Sequence, residues 1–113
     1  MEPSFDGYEE FWPYYVSQHR DRVCRALHFV GTTGVLLSLA AAFLISPVWI
    51  AAAPLAGYGV AWIGHFVFEK NKPATFTYPL WSLRGDFRMY RLTWLGRMQA
   101  ELRRASELYP ARG

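Results

Sequence analysis

From Ala26 to Phe68 the chain carries no Lys, Arg, Asp or Glu, and nothing else in the sequence restricts its fold so severely. A bilayer excludes charge more strictly than any other chemical feature, and a spanning helix needs roughly 20 predominantly apolar residues. The run therefore divides into two spans, 27–45 and 48–68, turned at Ser46 and Pro47. One long helix fits less well, and a buried hairpin in a soluble protein is the competing reading. Mean hydropathy, at +0.01, conceals the pattern because it averages an oily middle with two polar ends.

The cations set the orientation. Arg20, Arg22 and Arg25 precede the first span, Lys70, Lys72, Arg84, Arg88 and Arg91 follow the second, and the turn has none. The positive-inside rule then places both termini in the cytosol. An integral membrane protein follows, in the inner membrane if the source is bacterial. Glu2, Asp6, Glu9 and Glu10 occupy the stretch where a cleaved signal peptide would be basic, so no processing is expected. Cys24 is the single cysteine and is expected as a reduced cytosolic thiol. The net charge of +3 comes from cations flanking the spans, which points to anionic headgroups as the partner and not to nucleic acid. The 113 residues form one domain without internal repeats, and a homo-oligomer is compatible with the pattern.

The remaining segments complete an all-α membrane protein: a two-span antiparallel transmembrane hairpin with an N-terminal interfacial helix and a C-terminal amphipathic helix. Residues 8–18 suit a short interfacial helix with Pro13 in or near its first turn and Trp12, Tyr14 and Tyr15 at headgroup level. Residues 71–85 contain Pro73, Pro79 and Gly85 and read as a loop folded over the cytosolic mouth. Across 87–109 apolar residues recur every three or four positions, from Phe87 through Trp94, Met98 and Leu102 to Tyr109. That period predicts one amphipathic helix lying on the membrane.

Function is sought in the polar residues that a membrane makes costly. His28 begins the first span and His65 lies near the end of the second, each about 18 residues from the turn and so roughly 28 Å from it. Residues at equal distance from an antiparallel turn meet, so these two should face each other near the cytosolic edge of the hydrocarbon. Ionisable residues in spans are functional candidates by default. Gly57, Ala61 and Gly64 on the second span, with Gly31 and Gly34 on the first, favour close helix packing. His19, the third histidine, would fall on the face opposite His28 of one unbroken helix, so it joins them only if the chain turns between. A corner at 19–21 offers that turn, with Asp21 capping the first span.

Other candidates surround these three. Glu69, one helical turn beyond His65, could be a fourth ligand, an acceptor for a histidine N–H, or an ion-pair partner of Arg22 or Arg25. Asp86 reads first as a helix cap and otherwise as a supporting residue behind the ligands. Tyr15, four residues before His19, is either supporting or interfacial. Imidazoles suit iron(II), zinc and copper, and three of them are too few for a dinuclear multi-histidine centre, so a mononuclear site is the economical version. Its depth fits a lipid acid whose tail lies in hydrocarbon, with Arg22, Arg25 or Lys72 placed to neutralise the carboxylate. A haem held between His28 and His65 for electron transfer, and a scaffold with incidental histidines, are the competing functions.

Tyr15-x-x-x-His19 with Arg22, the spacing to His28, and the run Gly64-His65-Phe66-Val67-Phe68-Glu69-Lys70-Asn71-Lys72-Pro73-Ala74 resemble the 2-hydroxy fatty acid dioxygenase family. That family includes the fungal endoplasmic reticulum enzyme of phytosphingosine breakdown and small bacterial proteins. The segment from Tyr78 to Met89 is similar to the bacterial branch, and the likeness extends from about Tyr8 to about Met89. The resemblance implies an Fe(II)-dependent oxygenase of fatty acid α-oxidation, which takes a long-chain 2-hydroxy fatty acid and O2 and releases the acid one carbon shorter with carbon dioxide. It also implies that His19, His28 and His65 are the catalytic iron ligands. Where the fungal enzyme has a second histidine followed by polar asparagines, this chain has Arg20, Asp21 and Cys24.

Overall fold

The computed structural model describes residues 4–110, and every regular element among them is helical. The chain forms two compact units. One runs from Asp21 to Lys72, and the other joins the residues up to Arg20 with those from Pro73 onward.

In the first of these, helix α2 (Arg22–Leu44) begins ahead of the expected span because Asp21 caps it. The Asp21 carboxylate accepts the N–H groups of Val23 and Cys24 at 2.8 and 3.1 Å, where it also meets the positive end of the helix dipole. The backbone N–H of Asp21 donates to the Glu69 carboxylate. In a capping box that acid stands three residues into the same helix. Cys24 occupies that position here, and the acid comes from the far end of the hairpin.

The chain reverses where expected. Ile45 and Ser46 both donate to the Ala41 carbonyl, and Ser46 caps the next turn with Pro47 first in it. Helix α3 (Pro47–Glu69) is not the uniform span anticipated. It opens with a tight turn at Pro47–Ala51 and widens to five-residue spacing at Leu55–Gly59 and again at Gly64–Glu69. The first widening begins directly after Pro54, which has no N–H for the Ile50 carbonyl and so leaves the turn before it one bond short. The second carries His65.

Small residues set the spacing of this pair. A Cβ added at Gly31 would stand 3.1 Å from the Ala56 carbonyl oxygen, and one at Gly64 would stand 3.1 Å from the Cys24 Cα. The backbones thus approach as small-residue interfaces allow. The outer faces are bare: Phe43 is 89% exposed and Leu37 66%. Both helices are long and apolar enough to cross a membrane, and only 17% of the most apolar window of each is buried. A core helix of a soluble protein would be mostly covered.

The second unit contains α1 (Tyr8–Ser17), α4 (Pro79–Trp94) and α5 (Met98–Leu108). Its core is aromatic: Phe11, Trp12, Tyr15 and Val16 of α1 pack with Met89 of α4 and with Met98 and Ala105 of α5. A helix is therefore present over almost the residues expected of the interfacial one, and Trp12, Tyr14 and Tyr15 on it are buried in protein. Pro13 also lies in the helix interior, past the first turn.

Two further expectations are corrected. The loop predicted over 71–85 ends at Tyr78, because Pro79 takes the first helical position, where its missing N–H costs nothing. The single helix predicted over 87–109 is two. Gly96, at φ +70°, breaks it, with Gly96 N–H on the Thr93 carbonyl and Arg97 N–H on the Leu92 carbonyl. This is the Schellman closure that a left-handed glycine permits. The apolar period continues across the break, and the sequence pattern alone merges the two helices.

Candidate metal centre

Each histidine is held by a bond to the same ring nitrogen. His19 sits in the corner after α1, with its Nδ1 2.6 Å from the Tyr15 carbonyl oxygen and its ring stacked on the Tyr15 ring at 4.2 Å between centroids. His28 Nδ1 lies 2.8 Å from the Cys24 carbonyl oxygen, one turn back on α2. His65 Nδ1 lies 2.7 Å from Asn71 Oδ1. All three partners are oxygens that only accept, so each Nδ1 carries its hydrogen and donates. A neutral imidazole has one N–H, and the lone pair therefore falls on Nε2 in all three rings. Metal-binding histidines show this arrangement, in which the outer bond fixes both tautomer and ring direction.

The corner and the helix end explain how the sequence produces this. Gln18 and His19 donate back to the last carbonyls of α1, so the chain leaves helical geometry just before Asp21 starts α2. At the other end, Lys70 adopts the left-handed conformation with φ 57°, unusual for a residue with a Cβ. Asn71 can then return its N–H to the His65 carbonyl at 3.0 Å while its side chain receives His65 Nδ1. Asn71 thus grips His65 by backbone and side chain together.

His28 and His65 face each other as their equal distance from the turn requires, edge to face with centroids 4.8 Å apart. His19, His28 and His65 are 1%, 5% and 2% exposed. One ring nitrogen from each lies within 4.8 Å of the others, so the three could hold a metal ion. The donor set is chemically suited to one: three uncharged nitrogens, buried and pre-oriented, of the kind that iron(II), zinc and copper accept.

The other candidates take different places. Glu69 is outside this group of three and holds the Asp21 N–H. Arg22 and Arg25 lie in the first turn of α2, Arg22 exposed and Arg25 half-buried, and Lys72 is exposed just past α3. Asp86 is not a helix cap. It lies inside α4, where its carboxyl accepts the Tyr15 hydroxyl. Burial pushes the Asp86 carboxyl up to about 7, with the Tyr15 hydrogen bond pulling the other way. Asn71 is the contributor that local sequence rules do not reveal. Its signal is its place six residues after His65, in the polar stretch 69–72 that ends the second span.

Residues 5–98 match the family described as Mpo1-like, 2-hydroxy-palmitic acid dioxygenase. No curated protein and no solved structure matches the chain. The matched stretch contains all three histidines, Asn71, Tyr15 and Asp86.

Proposed function

The chain belongs to the Mpo1-like family, and from that membership we propose that it is a membrane-bound, iron(II)-dependent dioxygenase of long-chain 2-hydroxy fatty acids. The observation that carries this reading is the buried group of His19, His28 and His65, each with its Nδ1 hydrogen committed to an oxygen and its lone pair on Nε2. Iron(II) held by the three Nε2 atoms would supply O2 binding and redox chemistry, with positions beside the histidines left open. The reaction balances as 2-hydroxy acid plus O2 giving the acid one carbon shorter, carbon dioxide and water.

The protein's own part is placement. The α2–α3 hairpin crosses the membrane with both termini cytosolic, as its flanking cations require, and its bare apolar faces offer the acyl tail the same surroundings as lipid. Arg22, Arg25 and Lys72 stand at the polar end of the hairpin, where they neutralise the substrate carboxylate. The 2-hydroxyl provides a second point of attachment, so the bond between the first two carbons is fixed in one orientation. Such positioning supplies much of the rate in a bound complex. A haem between the spans fits poorly, because axial rings must stand on opposite sides of a flat macrocycle, whereas His28 and His65 meet edge to face.

Detergent-solubilised protein reconstituted anaerobically with iron(II) should consume O2 when given 2-hydroxypalmitate and release the acid shortened by one carbon. Palmitate lacking the hydroxyl should be a poor substrate. Oxygen uptake absent across several chain lengths, with iron bound stoichiometrically, would overturn the enzyme reading.

A further inference from the structure

His19 differs from the other two histidines in what stands behind it. It belongs to no helix, and its ring has the freedom of a corner residue unless something limits it. The Tyr15 ring covers one face, at 4.2 Å and 29° between planes, and the Tyr15 carbonyl takes its Nδ1 hydrogen. Tyr15 is in turn confined. Trp12 stacks on it at 5.5 Å and 15°, and Gly85 of α4 lies so close that an added Cβ would stand 3.1 Å from the Tyr15 ring carbons. The Tyr15 hydroxyl is tied to the neighbouring residue of α4, Asp86.

From this arrangement we infer that Asp86 and Gly85, acting through Tyr15, are positioning residues that set the angle of the His19 ring. This rests on the reading of His19 as a metal ligand. Gly85 supplies the clearance that lets α4 approach the tyrosine, Asp86 pins the far end of the ring by holding its hydroxyl, and Trp12 and Gly85 packed against the ring limit its rotation. The flat face of Tyr15 is then a template against which the imidazole lies, with the Nε2 edge pointing away from the Nδ1–carbonyl bond. A carboxylate in the middle of a helix, far along the chain from any histidine, has no other evident reason to be half-buried there. Residues that orient metal-bound histidines typically matter by 10–100-fold in metal affinity.

The test uses the full-length protein in detergent, with zinc as a redox-silent probe in competition with a chromophoric chelator, and histidine-labelled NMR of the metal-free protein. Asp86→Ala and Tyr15→Phe should each weaken zinc binding by roughly 10–100-fold, and the double variant should lose little more than either alone, because both break one link. Asp86→Asn keeps an acceptor for the hydroxyl and should restore most of the affinity. Without metal, Asp86→Ala should shift the His19 ring signals, which the stacked Tyr15 ring displaces in the parent, and leave those of His28 and His65 in place.

The outcomes separate cleanly. If Asp86→Ala and Tyr15→Phe lower thermal stability while zinc affinity and the His19 signals stay at parental values, the inference is overturned and the pair is merely structural. His19→Ala is the control for the underlying reading: if it keeps full zinc affinity, His19 is not a ligand and the site proposed above fails. The NMR arm still decides whether Asp86 orients the ring in that case, since it involves no metal.

Discussion

The two units solve opposite problems with opposite materials. The unit of α1, α4 and α5 buries its large side chains: Phe11 is 0% exposed and Trp12 1%, and polar groups dress the rim. Arg84 lies over the Tyr8 ring at 4.0 Å, Arg88 over Trp12 at 4.3 Å with Glu9 beside it, and Glu101 receives the Trp12 N–H. The α2–α3 hairpin turns this inside out, with small residues at its centre and Phe43, Leu44 and Leu55 on its surface. Its buried histidines, His28 and His65, lie at the end away from the turn, and Thr32 and Ser38 are buried further along α2. The hydrophobic effect accounts for the first arrangement. For the hairpin read as spanning lipid that drive would be absent, and close packing with internal hydrogen bonds would have to serve.

Truncation should separate the two units most strongly. Phe11→Ala is expected to destabilise by about 3–5 kcal/mol, through lost transfer energy and the cavity left behind. Phe43→Ala, on the bare face of α2, should stay within about 0.5 kcal/mol. Denaturant unfolding in mixed micelles measures both. An equal loss at Phe43 would mean that a protein surface and not lipid covers that face.

Adding charge reverses the sensitivity. Leu37→Arg places a guanidinium on a 66% exposed face of α2, harmless if that face meets water and costing about 2.5–3.5 kcal/mol of insertion free energy near the middle of a membrane. Gln99→Arg on the exposed side of α5 should be neutral within about 0.5 kcal/mol. Glycosylation-mapped insertion into microsomes reads the first, and thermal unfolding reads the second. Equal tolerance at both positions would refute the membrane assignment of the hairpin.

How much of this was legible in the sequence differs between the units for a physical reason. The hairpin's rules are local: absence of charge, a turn proline and counting from the turn give α2, α3 and the meeting of His28 with His65. The second unit depends on contacts between residues far apart in sequence. Trp12, Tyr14 and Tyr15 read as interfacial aromatics because nothing local reveals that α4 and α5 cover them. Pro79 and Gly85 read as loop markers because a proline in the first turn of a helix looks the same in sequence as one outside it, and Gly85 acquires its meaning only from the Tyr15 ring beside it. Asp86 reads first as a cap on the same ground. The His19 corner was legible through Asp21, whose capping role is a local rule. Asn71 was not, since its grip on His65 needs the left-handed turn at Lys70.

A pH profile sharpens the contrast from the side of the α1, α4 and α5 unit. In the folded chain the Asp86 carboxyl is raised by burial to about 7 from a usual 3.8, so between those values the folded state holds a proton that the unfolded chain releases. Stability should therefore fall as pH rises from about 4 to about 7 and level off above, with a slope no steeper than about 1.4 kcal/mol per pH unit. Asp86→Asn removes the titrating group and should flatten that segment of the profile. A parental curve that rises over the same window would show that Asp86 ionises freely in the fold.

The smallest effect concerns the point where the hairpin closes on itself, and it bears on the role of Glu69. Asp21→Ala removes the acceptor for the Val23 and Cys24 N–H groups and should cost about 1 kcal/mol, the usual value of a lost N-cap. Glu69→Gln keeps an oxygen for the Asp21 N–H but gives up its charge, so a few tenths of a kcal/mol is the expectation, within the range of a charged group near a helix N-terminus. Because Glu69 stands outside the histidine group, its substitution should leave metal affinity where His28→Ala or His65→Ala would abolish it. Thermal unfolding together with zinc titration of the same samples distinguishes the cases. A small stability loss with unchanged affinity assigns Glu69 to the cap, whereas a sharp fall in affinity would make it a fourth ligand that exchanges the Asp21 N–H for the metal on binding.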